Sequence, residues 1–474
     1  MNTKKPHALA AALLMASLAG CADFSGINTQ SELRSADAVG LPTTSTQAAT
    51  LDAQWWRAFG DDTLNQLVTQ ALQDSPNLKL AQTRIAAAQA VSQLSDAARK
   101  PRLDAQLNLA RQLYTANGLI PAPLAGTVRD TGTVQLAGSW ELDFFGKNSA
   151  ALNAALGQER ASQADAQAAR VLLAAQVAQS YFAWVGLNEQ HNVASRILAQ
   201  REQMLQLVQD RVKAGLDTPL DLRQAQGALP DARLQLEILD EQMALTRNAL
   251  AALIGQPNKP LALLPKALSA IKSISLGDNI DANLLGQRAD VSAARWRVEA
   301  AEQSVQSARA QFYPNINLTA FAGFSSIGFN QMFKAGSEQW GVGPALSLPL
   351  FDSGRLRANL GGKTADRDAA VESYNSTVIN AVHDAADQLA SRQAIARQQA
   401  EQVQAAQAAQ DTYAAVQQRF RNGLLNAQQV LTAETAVLAQ RKQAADLATR
   451  SLQNQVALAR ALGGGFHSES LASN

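Results

Sequence analysis

The sequence predicts a mainly helical fold with a small amount of membrane β-structure, built from one unit that occurs twice. Three patterns carry this prediction: four segments of alternating polarity, two proline-free runs of 67 residues, and matching sequence blocks in the two halves. The composition suits long helices packed through small side chains, because only 17% of the 474 residues are charged and 5% are aromatic. Ordinary soluble domains contain about 25% charged residues.

The first residues have the features of a bacterial lipoprotein signal. A short basic start precedes an apolar stretch that is too short to cross a hydrocarbon core of about 30 Å. Residues 18–21, Leu-Ala-Gly-Cys, resemble a lipobox. We therefore expect residues 1–20 to be removed and Cys21 to carry covalent acyl chains such as palmitate. Ala22 follows, where lipoproteins of the inner membrane usually carry Asp; the alternative is an ordinary signal with an incidental cysteine.

Four segments alternate between apolar and polar residues, at 102–114, 131–143, 314–325 and 340–350. This alternation predicts β-strands with one apolar and one polar face. Each segment has roughly the 9–11 residues that a tilted strand needs to cross a bilayer. A half-buried sheet in a soluble protein would show the same pattern, so both readings stay open at this point.

Between the strands the chain is predicted to be helical, and each long helix is followed by a glycine and a returning helix. The predicted elements are helix 148–214, a turn at Gly215, helix 219–254, helix 356–422, a turn at Gly423 and helix 426–462. A heptad pattern along the first returning helix indicates a coiled coil, which Pro230 is expected to bend or break. After the signal, no stretch reaches the 18 consecutive apolar residues of a membrane-spanning helix.

The chain repeats itself. Aligning Pro101 with Pro314 gives an offset of 213 residues, and the helical segments before the two prolines then match in length. Near the two glycine turns the offset is 208 residues. Each unit contains a short helix (predicted at about 65–100 in the first), two strands, a long helix and a returning helix. The helix lengths predict a rod of roughly 100 Å with strands at one end and turns at the other.

The number of strands implies more than one chain if they enter a membrane. Single-chain membrane barrels need at least about eight strands, and open sheet edges are not tolerated in lipid. Four strands per chain therefore require a barrel shared between copies. Two chains would supply eight strands and three would supply twelve, and the strand pattern does not choose between them.

Composition argues against several other classes of protein. The 41 basic and 40 acidic residues leave a formal charge of +1, without the basic surplus of a nucleic-acid-binding protein. One cysteine and four scattered histidines offer no cysteine cluster and no spaced metal-binding motif. We therefore expect no catalytic residues, no metal and no cofactor besides the lipid on Cys21.

Several motifs together resemble the TolC-type outer-membrane efflux channels, most closely their lipidated NodT/OprM-like subgroup. The motifs are WELDFFGK at 140–147, GLDTPLDL at 215–222, RADVSAARWRVEAAE at 288–302, YPNINL at 313–318 and WGVGPALSLPLFDSGRLRA at 340–358. The resemblance implies a homotrimer with a shared 12-stranded β-barrel in the cell outer membrane. It implies that the helices continue as a long coiled-coil α-barrel in the periplasm.

The resemblance also implies a role as the passive exit duct of a tripartite efflux pump for drugs or other toxic small molecules. Its partners would be a periplasmic adaptor (a membrane fusion protein) and an inner-membrane transporter of the RND type. Export of proteins through the same fold is an alternative, and a non-conducting structural lipoprotein is a second one. The implied segments are a signal at 1–20, an arm with equatorial residues at 21–60, a first repeat at 61–255, an equatorial insert at 256–281, a second repeat at 282–463 and a tail at 464–474.

In this family the helical turns close the periplasmic end, and acidic residues there form a ring. Asp221 lies six residues after Gly215, where family members carry an aspartate, whereas Gln429 and Thr432 replace the acids of the second turn. Asp221 could also simply favour a helix N-terminus, and an apolar constriction is the alternative to an acidic ring. The candidate gate residues are Asp217, Asp221, Leu424, Leu425, Gln429 and Thr432.

Overall fold

The computed structural model describes residues 24–34, 51–257, 261, 266–274 and 286–466. The expected signal and Cys21 lie outside the described residues, as do parts of the arm, the equatorial insert and the tail. The helices and strands are α1 (Asp62–Asp74), α2 (Pro76–Ala97), β1 (Arg102–Leu113), β2 (Val128–Leu142), α3 (Lys147–Lys213), α4 (Pro219–Leu253), α5 (Ala289–Ala310), β3 (Asn315–Ile327), β4 (Glu338–Ser347), α6 (Arg355–Arg421) and α7 (Ala427–Ala461).

The chain divides into two compact units, a sheet unit and a tip unit. The sheet unit comprises the described residues 24–33, 84–162 and 294–374 and contains all four strands. The tip unit comprises the described residues within 34–83, 163–293 and 375–466 and contains both glycine turns. Among the described residues, no helix is both long enough and apolar enough to cross a membrane.

The four strands form one antiparallel sheet in the order β1-β2-β3-β4. Each repeat contributes a hairpin, and β2 pairs with β3 to join the two hairpins. Strand β2 begins at Val128 rather than at residue 131, because its ladder with β1 continues to the pair Leu113 and Val128. Strand β4 ends at Ser347 rather than at residue 350, since Pro349 has no N–H to donate to a ladder.

Alternation gives this sheet two chemically different faces. One face carries cross-strand apolar rows such as Leu107 opposite Val134 opposite Phe324. The other carries a row of amides: Gln339 donates Nε2 to Gln135 Oε1 at 3.0 Å, and Gln135 donates Nε2 to Gln106 Oε1 at 3.0 Å. Gly323 lies in this row on β3, and a side chain there would collide with Gln135.

The helices repeat in length. The long helices α3 and α6 both have 67 residues, the returning helices α4 and α7 both have 35, and the short helices α2 and α5 both have 22. One expectation was wrong: residues 65–100 do not form a single helix. The chain breaks at Ser75, because Pro76 lacks an N–H and therefore begins α2 rather than continuing α1. Pro230 lies within α4, which continues past it without a break.

An aromatic core holds the tip unit together where α1 meets α3. Trp55, Phe59, Tyr181 and Phe182 are all buried, and the Phe59 and Phe182 rings lie 4.8 Å apart. The buried Asp61 caps α1 and accepts a hydrogen bond of 2.8 Å from the Tyr181 hydroxyl. Burial of the hydroxyl, followed by its contact with Asp61, raises the pKa of Tyr181 above its ordinary value, so this tyrosine remains a donor.

Candidate functional site

Two helical turns with the same backbone geometry lie in the tip unit, and we call them the first and second tip turns. The first joins α3 to α4 and contains Gly215 at φ 71°, and the second joins α6 to α7 and contains Gly423 at φ 73°. After each glycine a leucine N–H reaches back into the long helix, at 2.8 Å in the first turn and 3.0 Å in the second. Glycine is favoured there because a left-handed backbone ends each helix.

Both tip turns rest on a common apolar cluster, the tip core, to which all four neighbouring helices contribute. Its buried members come from α3, α4, α6 and α7, and partly buried residues such as Leu425 pack around them. The tip core therefore ties the ends of the two helical hairpins together. Its fully buried members are Val208, Ala225, Phe420, Ala427 and Val430.

Asp221 takes part in a capping box at the start of α4. Thr218 donates its backbone N–H to Asp221 Oδ2 at 2.9 Å and its hydroxyl to the same oxygen at 2.6 Å, and Asp221 donates its own N–H to Thr218 Oγ1 at 3.3 Å. The hydrogen bonds from Thr218 hold the pKa of Asp221 below its ordinary value. Asp221 is therefore a charged helix cap at neutral pH, which is the structural role considered for it above.

Asp217 has a different environment. It is paired within the chain with Arg211, whose Nε and Nη2 lie 2.9 and 3.0 Å from the two carboxylate oxygens. The Asp217 side chain is only 3% exposed. The Arg211 guanidinium also lies 4.7 Å from the centre of the Phe420 ring, which belongs to the other hairpin. Arg211 thus neutralises Asp217 and connects the first tip turn to the second.

The second tip turn keeps the backbone geometry but changes the chemistry. The 208-residue offset places Leu425 at the position of Asp217 and Gln429 at that of Asp221. Asn426 caps α7 by accepting the Gln429 N–H at 3.2 Å. Leu425 is half-buried against the tip core, whereas Gln429 and Thr432 are exposed. The acidic pair therefore occurs only in the first tip turn.

The outer surface of the tip turns carries exposed leucines. Leu216, Leu220 and Leu424 are 66%, 64% and 70% exposed. Leu216 was missed by sequence reasoning, although it follows Gly215 just as Leu424 follows Gly423. Arg211 and Phe420 were also missed, because nothing in the sequence indicates that residues 209 positions apart meet. In the part of the chain that the structure describes, no three His, Cys, Asp or Glu side chains are grouped to hold a metal ion.

Besides Asp217, Glu434 is an ionisable residue that is buried near the tip core. Glu434 on α7 is 4% exposed. Burial raises the pKa of this carboxyl, and the charge of Arg201 on α3 opposes that rise. Arg201 itself donates Nη1 to the Ala228 carbonyl on α4 at 2.7 Å.

We expect that replacing both Arg211 and Asp217 with apolar side chains preserves most of the stability of the first tip turn, whereas replacing Arg211 alone does not. Arg211→Met alone leaves a buried carboxylate unpaired and should destabilise the first tip turn by about 3–5 kcal/mol. Adding Asp217→Leu should restore most of the lost stability, since leucine is the residue type found at the same place in the second tip turn. Amide hydrogen exchange at residues 212–222 measures the difference, and equal protection in the single and double variants would contradict the pairing.

The pH dependence of the tip should come from Glu434 and not from Asp221. A carboxyl whose pKa is raised by burial stabilises the packed tip at pH values below its ordinary pKa of about 4.3. This stabilisation is lost as pH rises through the raised pKa. Glu434→Gln should therefore flatten the change in tip opening, measured by hydrogen exchange, between about pH 4.5 and 8. Glu401→Gln, at an exposed position on α6, is the control. Asp221, with its lowered pKa, keeps its contribution throughout this range, so an unchanged slope in Glu434→Gln would refute the assignment.

Comparison with known proteins identifies a family that matches most of this chain. The model of the family described as "Outer membrane efflux protein" matches residues 67–256 and again residues 282–464. The chain is 31% identical over 471 residues to the multidrug resistance outer membrane protein MdtQ of Escherichia coli O157:H7, covering 97% of this chain and 98% of MdtQ. It is 35% identical to the fusaric acid resistance protein FusA of Burkholderia cepacia, covering 77% of this chain and 70% of FusA.

A solved structure shows the same fold. The outer membrane protein VceC of Vibrio cholerae superposes with a TM-score of 0.82 at 34% identity, covering 88% of this chain and 100% of VceC. These comparisons confirm the predicted TolC-like fold, its internal repeat, its location in the outer membrane and the absence of an enzymatic role. The chain belongs to the outer membrane efflux protein family, and it is a TolC-type exit channel of efflux pumps.

Proposed function

We propose that this channel carries drugs or other toxic small molecules, as one part of a tripartite pump with a periplasmic adaptor and an inner-membrane transporter of the RND type. The names of MdtQ and FusA, which refer to multidrug and fusaric acid resistance, support small-molecule cargo. No feature of the described chain favours the alternative of protein export. The observation that carries the proposal is the pair of tip turns, which combine a charged cap with exposed apolar side chains.

Three copies of the chain form the channel in this proposal. In the sheet, β1 and β4 each pair along one edge only, so both outer edges carry unpaired N–H and C=O groups. Open edges are not tolerated in lipid, and four strands are too few to close a barrel. A homotrimer supplies twelve strands and pairs every edge. The apolar sheet face then meets lipid, and the amide row faces the lumen.

A covalent lipid on Cys21 adds a second attachment to the outer membrane. The lipobox-like residues 18–21 support this anchor, and several acyl chains hold a protein more firmly than one. The lipid is the one cofactor-like group in the proposal. The same anchor keeps each chain at the membrane in which the barrel assembles.

The gate at the tip depends mainly on Asp221. Asp217 is neutralised by Arg211, so in a trimer the first tip turns contribute three Asp221 carboxylates at one level. Like charges at short range repel one another and attract cations. The hydrogen bonds from Thr218 hold the Asp221 carboxylate in place, so its roles as a helix cap and as a gate residue are compatible. Leu424 offers an exposed apolar surface beside this level, whereas Leu425 is engaged in the tip core.

Channel selectivity tests the gate. Purified protein in a planar bilayer should show stepwise ion conductance, which a structural spacer would not. Asp221→Asn removes the charge while its side-chain oxygen can still accept the capping bond, so it should lower the ratio of cation to anion permeability. Asp411→Asn, at an exposed position elsewhere on α6, is the matched control. An unchanged ratio in Asp221→Asn would remove this residue from the gate.

The exposed leucines of the tip turns are the proposed contact with the adaptor. A photo-cross-linking residue at Leu424 should capture the adaptor and, with it, the transporter, in cells that express a full pump. The same residue at Leu207, an apolar position with 43% exposure further along α3, provides a control at another site on the helices. Capture of this chain alone at position 424 would argue against the tripartite assembly.

A further inference from the structure

The polar face of the sheet, which carries the amide row, is interrupted by an aromatic side chain. Phe321 lies two residues before Gly323 on β3 and therefore on the same face. Among the strand residues that the structure describes, it is the only aromatic one on the polar face, and it is 40% exposed. The other aromatic residues of the strands lie on the apolar face: Trp140, Phe324 and Trp340.

Gly341 on β4 makes room for this ring. Residues 321 and 341 are direct partners in the ladder between β3 and β4. A Cβ at Gly341 would lie 2.7 Å from Cε1 and 2.9 Å from Cζ of the Phe321 ring. The ring thus leans across β4 instead of standing upright on its strand, as side chains of strands usually do. A ring that leans in this way turns one of its faces away from the sheet.

The neighbours of Phe321 on the polar face are small. Ala137 lies opposite it on β2, and Thr319 and Gly323 flank it on β3. Gly343 lies diagonally across from it on β4. None of these side chains is large enough to cover the outer face of the ring. The sheet therefore has a shallow depression around an exposed aromatic surface.

The amide row borders this depression. It lies one row further along the strands, about 7 Å from the level of Phe321, because residues two apart on a strand are separated by that length. Within the row, Gln339 donates one N–H to Gln135 and Gln135 donates one to Gln106. A primary amide has two N–H donors. Each of these amides therefore retains an N–H that the row itself does not use.

The charges nearest to the ring cancel. Asp104 of β1 is in the same row as Phe321, with Ala137 between them. Its carboxylate pairs with Arg102 at 2.8 Å. The depression thus combines an aromatic ring and hydrogen-bond donors without net charge. This combination suits flat aromatic molecules that carry a polar group, because aromatic rings prefer offset stacking at centroid distances of about 4.5–7 Å.

We propose that Phe321 and the amide row form a binding site for planar aromatic molecules. The ligand ring stacks on Phe321, and its polar group accepts hydrogen bonds from Gln339 or Gln135. This inference rests on the channel proposed above, in which the polar face lines the lumen, and it names a chemical class of cargo that the wall retains briefly. A homotrimer would carry three such sites.

Protection of an introduced cysteine tests the site in the full-length protein, reconstituted in lipid vesicles. Ala137→Cys puts a thiol beside the ring, where a charged, water-soluble methanethiosulfonate reagent should modify it. Naphthalene-2-sulfonate should slow this reaction, whereas cyclohexanesulfonate, which has the same charge and no aromatic ring, should not. Mass spectrometry of the peptide measures the rate. Ala345→Cys, at an exposed position on the same face of β4, is the matched control and should react equally fast with and without either compound.

Substitutions of Phe321 separate stacking from simple apolar contact. In the Ala137→Cys protein, Phe321→Tyr keeps an aromatic ring and should keep the protection. Phe321→Leu keeps an apolar side chain without a ring, so the half-protecting concentration of naphthalene-2-sulfonate should rise about two- to tenfold. Gln339→Ala removes one amide of the row and should also raise this concentration.

The outcomes separate the site from the channel. Protection that is weakened in Phe321→Leu and kept in Phe321→Tyr supports the site. Protection that is absent, that is equal in Phe321→Leu and the unsubstituted protein, that is lost in Phe321→Tyr, or that extends to Ala345→Cys overturns the site and leaves the channel standing. If the reagent does not modify Ala137→Cys in the vesicles, the polar face does not line a water-filled lumen, and both proposals are overturned.

Discussion

The close approach of α5 to α3 at Gly157 is the contact on which the rest of the sheet unit depends. A Cβ at Gly157 would lie 3.0 Å from the Cβ of Ala300 and 3.2 Å from its Cα, so a side chain there would push the two helices apart by a few tenths of an ångström. This places the short helix in the groove between two long helices of 67 residues each. The strands leave the same helices directly, so the packing of α5 also sets where β3 begins relative to β2.

Much of this fold could be predicted from the sequence because it depends on local signals. Glycine ended both long helices, alternation marked the strands, and the repeat offset related the two halves. The break before Pro76 was missed, since the apolar pattern continues across it. At the tip, Asp221 and its partner Thr218 are three residues apart, whereas the link between Arg211 and Phe420 depends on tertiary packing that no local pattern records.

The two halves have kept their backbones and diverged in their side chains. Both tip turns contain a glycine in the left-handed conformation and a polar side chain that caps the returning helix. The capping residue is Thr218 in the first turn and Asn426 in the second. The positions of Asp217 and Asp221 are taken by Leu425 and Gln429. Conformation here is fixed by caps and by the tip core, which leaves the charged positions free to change without altering the turn.

Duplication within the chain gives the amide row of the sheet a further property. A channel wall made of identical repeats would carry each side chain at every equivalent strand, whereas Gln106, Gln135 and Gln339 occupy three strands and Gly323 leaves a gap on the fourth. The polar face of the sheet is therefore uncharged and uneven at this level. In the proposed channel, this face would offer hydrogen bonds to cargo of either charge without a strong electric field to hold it, which suits a conduit that must release its cargo.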